Sequence, residues 1–290
     1  MPPSSSTWRS DSQPPASLTD RGRAALEVRL VGHASTVTGA YAASPMKLLA
    51  PRSRGLCVWT FTSNFGGGLV AGDQTRLDLI VGRGARCFLG TQSATKVYRN
   101  PERRPCSHVT QAVLEAGAFL AFMPAPVQPF ADSSYSQRQT FHLAPGAGLV
   151  LLDWFTAGRA ACGERWAFAH FSSRNEVFAE PEGLAFLDSV RLDAVGDSLL
   201  SPHRTGRFNC FAMLFLLGAP VREAAALILA AVGRRAVERR PLLLVSASPV
   251  RNGAVLRVGA TQVETVEAEL HEHLGFLSGW LGGLPWTRRW

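Results

Sequence analysis

Lysine is nearly missing from this chain of 290 residues. Lys47 and Lys96 are its two lysines, and arginine carries the rest of the positive charge behind a formal net charge of +8. The basic residues are scattered and not interleaved with aromatics, so a nucleic-acid groove is disfavoured. A solvated basic surface, or an acidic protein partner, fits better. Cysteine is sparse and odd in number: Cys57, Cys87, Cys106, Cys162 and Cys210 are widely spaced and form no C-x-x-C. That excludes a disulfide framework and a zinc ribbon, and points to small core thiols in a reducing compartment. No apolar h-region opens the chain, which argues against a secretory signal. The most apolar stretch, Phe211 to Gly233, is interrupted by Arg222-Glu223 and is too short on either side to span a bilayer. These absences together predict a soluble cytoplasmic protein.

What is plentiful is core material and glycine: 46% of residues are hydrophobic, with 16 Phe and 27 Gly. Pro and Ser dominate the first twenty residues, so residues 1–24 read as a disordered tail and 25–290 as a single domain. "GGGLVAGDQTRLDL", Gly66 to Leu79, tests for a nucleotide site. Gly67 and Gly72 have P-loop spacing, but Asp73 and Gln74 stand where Lys and Ser/Thr are needed, and a carboxylate there repels phosphate. Gly66, Gly68 and Ala71 fit a loose dinucleotide fingerprint, yet the alternation that follows reads as a strand and not as the required helix.

A weak repeat organises the middle of the chain. Gly84-Ala85, Gly117-Ala118 and Gly146-Ala147 each sit between two apolar runs, 33 and 29 residues apart. Recurrence at that period predicts stacked supersecondary units sharing one core. The fold expected is therefore mainly β, a stacked β-helix-like sheet architecture with two minor α-helices toward the C-terminus. Counting seven residues from each glycine reaches Thr91, Pro124 and Asp153, which would share one edge of the stack. "LLLVSASPVRNGAVLRVGA" reads as a hairpin about Asn252-Gly253. "PVREAAALILAAVGRRA" reads as one helix. "TQVETVEAELHEHLGFLSGWL" reads as another, capped by Thr261, with Val263, Val266, Leu270, Leu274 and Leu277 on its apolar face.

Candidate chemistry is thin. His271 and His273 face apart on a helix; Glu267 and His271, at i and i+4, are the pair that could share an ion. No Cys/His cluster has zinc spacing. No G-x-S-x-G occurs, and nothing selects a Ser/His/Asp triad. Asp73, Asp132, Asp153 and Glu164 leave open a β-solenoid enzyme with paired carboxylates, Asp73 and Asp153 among them. Lys96 lies in "ATKVYR", where a compact ammonium replaces the usual guanidinium. Asp153 lies between "LVLL" and Trp154-Phe155, so it should be partly buried and require a partner, for which Arg159 or Lys96 is available.

Three stretches resemble one family: "FGGGLVAGDQTRLDLIVGRGARCFLGTQSATKVYR", "PVQPFADSSYSQRQ" and "LAPGAGLVLLDWFTAGRAACGERW" look like the urease accessory proteins UreD, also called UreH. The resemblance runs from about Ala25 to Arg207. It implies a non-enzymatic scaffold with a β-helix-like stack, which joins UreF-like and UreG-like partners on the urease apoprotein and helps deliver nickel. No tightly bound cofactor is implied, only a nickel ion in transit, held weakly by oxygen ligands. No nucleic acid or membrane partner is expected. The resemblance marks Asp73, Thr95, Lys96, Asp153 and Glu164 as functionally sensitive. It assigns Gly67, Gly68, Gly72, Tyr98, Arg99, Gly158 and Arg159 to the structural part of the motifs. Asp73 is then expected to meet either a passing cation or the side chain of Lys96 or Arg99.

Overall fold

The computed structural model describes residues 21–51, 55–102, 104–194 and 199–287. The expected tail lies almost wholly outside the described residues. Strands alternate between two facing sheets, giving a β-solenoid of about four coils. In the first sheet the strands Arg23–Val31, Gln74–Val81, Cys106–Leu114, Ser134–Leu143 and His170–Ala179 run parallel, with Ala34–Ala42 and Gly183–Asp193 antiparallel at the two edges. In the second sheet Val58–Asn64, Arg86–Thr91, Phe119–Met123 and Gly148–Thr156 run parallel. Met46–Leu49 closes one edge, and Cys210–Leu217, Gly253–Ala260 and Leu243–Val250 extend the other as antiparallel strands.

The Gly-Ala pairs make the coil corners, and they stack as the repeat predicts. Gly84 N–H donates to the Ala116 carbonyl at 3.1 Å, and Gly117 N–H to the Pro145 carbonyl at 3.1 Å. All three glycines have positive φ (+65°, +68° and +76°), a region costly for any residue with a Cβ. A Cβ on Gly146 would also lie 3.6 Å from the Gly117 nitrogen of the coil below. Ala85, Ala118 and Ala147 are buried where the chain turns inward.

The strand Gly148–Thr156 is buried at every position, because it has core on both sides. Leu149, Leu151 and Phe155 point into the space between the sheets, whereas Val150, Leu152 and Trp154 point outward under the helices. Those helices are α1 (Arg222–Gly233), α2 (Val263–His273) and α3 (Leu277–Leu281). The second expected helix is therefore broken: Leu274 leaves the helical region (φ −102°, ψ 9°) before Gly275, and α3 starts afresh. The Thr261 cap is corrected too. Gln262 holds the N-cap position, and Thr261 closes the sheet by donating its N–H to the Leu242 carbonyl. The apolar positions Val266, Leu270, Leu274 and Leu277 are buried as expected. Cys57, Cys87, Cys106 and Cys210 are core thiols, while Cys162 is exposed.

Candidate functional site

Strand register places Thr91, Pro124 and Asp153 on one row. Gly90 pairs with Met123 and Phe122 with Leu151, so the three residues fall at matching positions of adjacent strands. Trp154 Nε1 donates to the Pro124 carbonyl at 2.7 Å, and Ala125 N–H to Thr91 Oγ1 at 2.8 Å, which ties the row together. The row continues from Asp153 through Met213 and Arg257 to Ser246. Facing it on the first sheet are two rows with polar residues turned inward. One is Thr75, His108, Gln137 and Ser173; the other is Thr110, Gln139, Asn175 and Asp188. A polar seam thus crosses the interior along the solenoid axis, between apolar rows on either side.

Asp153 is the hub. It is 2% exposed. Oδ1 accepts from Gln137 Nε2 at 2.7 Å, while Oδ2 accepts from Asn175 Nδ2 at 2.7 Å and from the Ser173 hydroxyl. Neither Arg159 nor Lys96 partners it. Arg159 pairs with Glu164, and the partners of Asp153 are neutral. Burial raises its carboxyl above the ordinary range, and the three hydrogen bonds oppose that shift. Asp188 is raised by burial and then by the charge of Asp153, while Arg257 opposes the shift; Asp188 Oδ2 is buried without a hydrogen-bond partner. His108 sits between Thr75 Oγ1 (2.8 Å from Nδ1) and Thr110 Oγ1 (3.0 Å from Nε2). Burial pushes its pKa down to about 4, so the ring is neutral.

A cavity of about 70 Å³ reaches this seam from the surface. Ser93 and Gly67 line its exposed end, and Asp153, Gln137, Gln139 and His108 its inner end. Of the residues singled out from sequence, Thr91, Pro124, Asp153, Thr95 and Gly67 line this space. The others lie elsewhere. Asp73 closes a turn: its N–H donates to the Val70 carbonyl at 3.0 Å, and its Oδ2 accepts the Val70 N–H at 2.9 Å, with Gly72 at φ +85° between them. It therefore meets neither Lys96 nor Arg99. Arg99 pairs with Asp132 at 3.5 Å, and the side chain of Lys96 is exposed. Gly68 is required for contact, since a Cβ there would lie 2.5 Å from the Lys96 carbonyl oxygen. Tyr98 Oη donates to the Gly66 carbonyl at 2.8 Å and holds the glycine loop.

Gly158, Arg159 and Glu164 form a surface clasp. Gly158-Arg159 pairs with Glu164-Arg165 as a two-residue ribbon, and Arg159 Nε donates to Glu164 Oε2 at 3.0 Å. Glu164 also accepts the Ala131 N–H at 3.2 Å, anchoring the "QPFADS" loop, and Arg159 holds its carboxyl below the usual range. On α2 the paired residues are Glu269 and His273, 2.7 Å apart and both buried, and not Glu267 and His271. The ring of His271 stacks on Trp286 instead.

The outer face of the first sheet carries a Ser/His/Asp arrangement that sequence spacing did not select. His170 Nδ1 is 2.6 Å from Asp193 Oδ1, and its Nε2 is 3.2 Å from Ser172 Oγ. It sits between two paired strands whose backbone donors belong to the ladders, so among the described residues these strands offer it no free N–H pair as an oxyanion hole. Elsewhere on this face arginines pair with carboxylates: Arg76 with Asp78, and both Arg138 and Arg174 with Glu176. Among the described residues no group of three or more His, Cys, Asp or Glu could hold a metal ion, and no helix is long and apolar enough to cross a membrane.

Sequence comparison gives one consistent picture. The chain is 45% identical over 252 residues to the urease accessory protein UreD of Sorangium cellulosum, covering 87% of this chain and 78% of the relative. It is 38% identical over 267 residues to UreD of Anaeromyxobacter (92% and 89% covered), and 30% identical over 288 residues to urease accessory protein D of Arabidopsis thaliana (90% and 98% covered). The profile of the UreD urease accessory proteins matches residues 20–290, and the chain belongs to that family.

Proposed function

We propose that this protein is a cytoplasmic scaffold of urease maturation that assembles with UreF-like and UreG-like proteins on the urease apoprotein and passes nickel through its interior. Family membership supports the role in maturation. The observation that carries nickel passage is Asp153: a carboxylate buried between two sheets and held by neutral donors, with no cation against it. Such a group disfavours the empty, ionised state and favours either a proton or a passing cation. The seam adds hydroxyls, amide oxygens and one neutral imidazole. Oxygen donors hold a borderline divalent ion less firmly than thiolates do, as release requires. The seam's polar residues bond one another and the apolar rows flank them, so an ion moving along it exchanges one polar contact for the next.

A paired-carboxylate enzyme gains no support, because Asp73 is occupied in its own turn and shares no partner with Asp153. The test is co-expression of the chain with urease and its accessory proteins in nickel-supplemented cells. Urease activity and nickel per urease should both depend on this chain. Equal nickel loading without it would remove the reading.

A further inference from the structure

The second sheet outruns the first. Gly183–Asp193, the last strand of the first sheet, lies over Cys210–Leu217, where Phe186 meets Phe215 with ring centroids 4.9 Å apart. Two more strands of the second sheet follow, Gly253–Ala260 and then Leu243–Val250, and the latter is the free edge. On the helix side of that edge strand Leu243, Val245 and Ala247 pack against the outer core. The alternate residues face the other way: Leu244 is 50% exposed, Leu242, just before the strand, is 68% exposed, and Ser246 is exposed. Beside them Arg257, register partner of Ser246, is exposed and joins no ion pair among the described residues. Arg239 and Arg240 are exposed just upstream, with Glu238 the one carboxylate among residues 234–244, and Arg207 Nε donates to the Pro241 carbonyl at 3.1 Å.

This strip is also where the polar seam ends. Asp153, Met213, Arg257 and Ser246 are successive members of one row, and Asp188, whose Oδ2 lacks a donor, lies near Arg257. Natural sheets protect long apolar edges with charges turned inward, bulges or a covering element. Here the edge carries outward leucines in a cationic setting, and its one proline, Pro249, lies near the far end.

We propose that the edge strand Leu243–Val250 is a docking site for an acidic, extended segment of a partner protein, added as a further strand. Backbone pairing supplies register, apolar side chains of the segment cover Leu242 and Leu244, and its carboxylates meet Arg239, Arg240 and Arg257. This rests on the maturation reading and deepens it: the docked partner would sit at the end of the seam opposite the cavity mouth, where an ion leaving Asp188 passes to it or arrives from it.

The test uses the full chain with purified urease apoprotein and its accessory proteins, each as a binding probe. Leu244→Asp and Arg257→Glu should each weaken binding to one partner by about tenfold or more. Wild-type binding should fall as salt is raised. Leu187→Asp, on the outer face of the first sheet, should bind as wild type. Circular dichroism and melting of all three variants check that they fold. Wild-type affinity in both edge variants overturns the proposal. So does an effect of Leu244→Asp confined to self-association by sedimentation, which would make the occupant a second copy. Failure of the wild-type chain to support urease activation would instead count against the maturation reading itself.

Discussion

Asn175 reaches across the gap between the two sheets to donate to Asp153 Oδ2 at 2.7 Å, and its register partner on the next strand is Asp188. One amide thus stands between two inward-facing carboxylates, both raised above their ordinary pKa by burial. The arrangement concentrates acceptors in a space that is otherwise apolar or neutral, and it carries the consequences below.

Asp153 should destabilise the protein as the solution becomes less acid. Its folded pKa lies above the unfolded value of about 3.9, so its contribution is fully present below that value and is lost as pH rises through the raised folded pKa. Asp153→Asn has no such step. In urea titrations across that range, the stability of wild type relative to Asp153→Asn should fall with pH. A difference independent of pH would mean that the carboxylate is not buried.

His108 works in the opposite direction. Its folded pKa is about 4, below the unfolded value of about 6.5, so the unfolded chain takes up its proton first on acidification. The contribution of the neutral ring is full above the unfolded value and disappears as pH falls to the folded one. His108→Gln should flatten that part of the stability profile, and an unchanged profile would contradict the burial.

Thiol chemistry should single out Cys162. It is exposed, whereas Cys87 and Cys210 are buried with pKa values pushed up to about 12. A maleimide should label Cys162 quickly in the native protein and label all 5 cysteines only after unfolding. Cys162→Ser should abolish the fast phase.

Much of this was legible in the sequence. The Gly-Ala spacing located the coil corners, and counting from them found the row of Thr91, Pro124 and Asp153, because a solenoid repeats its register from coil to coil. Of the three partners of Asp153, "SYSQRQTF" carries one, Gln137, in an alternating run in which Tyr135, Gln137, Gln139 and Phe141 share one face; Ser173 and Asn175 lie on the next strand. Inward glutamines in a buried face were the available signal. The turn role of Asp73 is not legible in the sequence for a physical reason. A conspicuous carboxylate after glycines suits a ligand, but it equally suits a turn whose first N–H requires an acceptor. The break between α2 and α3 depends on tertiary packing of the last helix against the sheet, which periodicity does not encode.

Asp73→Ala should therefore cost about 1 kcal/mol through the lost turn hydrogen bond while leaving urease activation near wild type. Gly158→Ala should cost more than about 1 kcal/mol, since φ is +86° and the added Cβ would lie 2.4 Å from the Pro129 carbonyl oxygen. Urea unfolding of the two variants checks both. Activation lost in Asp73→Ala with the stability unchanged would return Asp73 to the nickel route.

The central claim is that nickel passes Asp153 inside the solenoid, and the direct measurement is nickel bound per urease after co-expression with Asp153→Asn. The amide keeps the shape and removes the charge, so nickel loading should fall severalfold while the variant still co-purifies with urease and its accessory proteins. Wild-type nickel loading by an assembled Asp153→Asn complex would contradict the account.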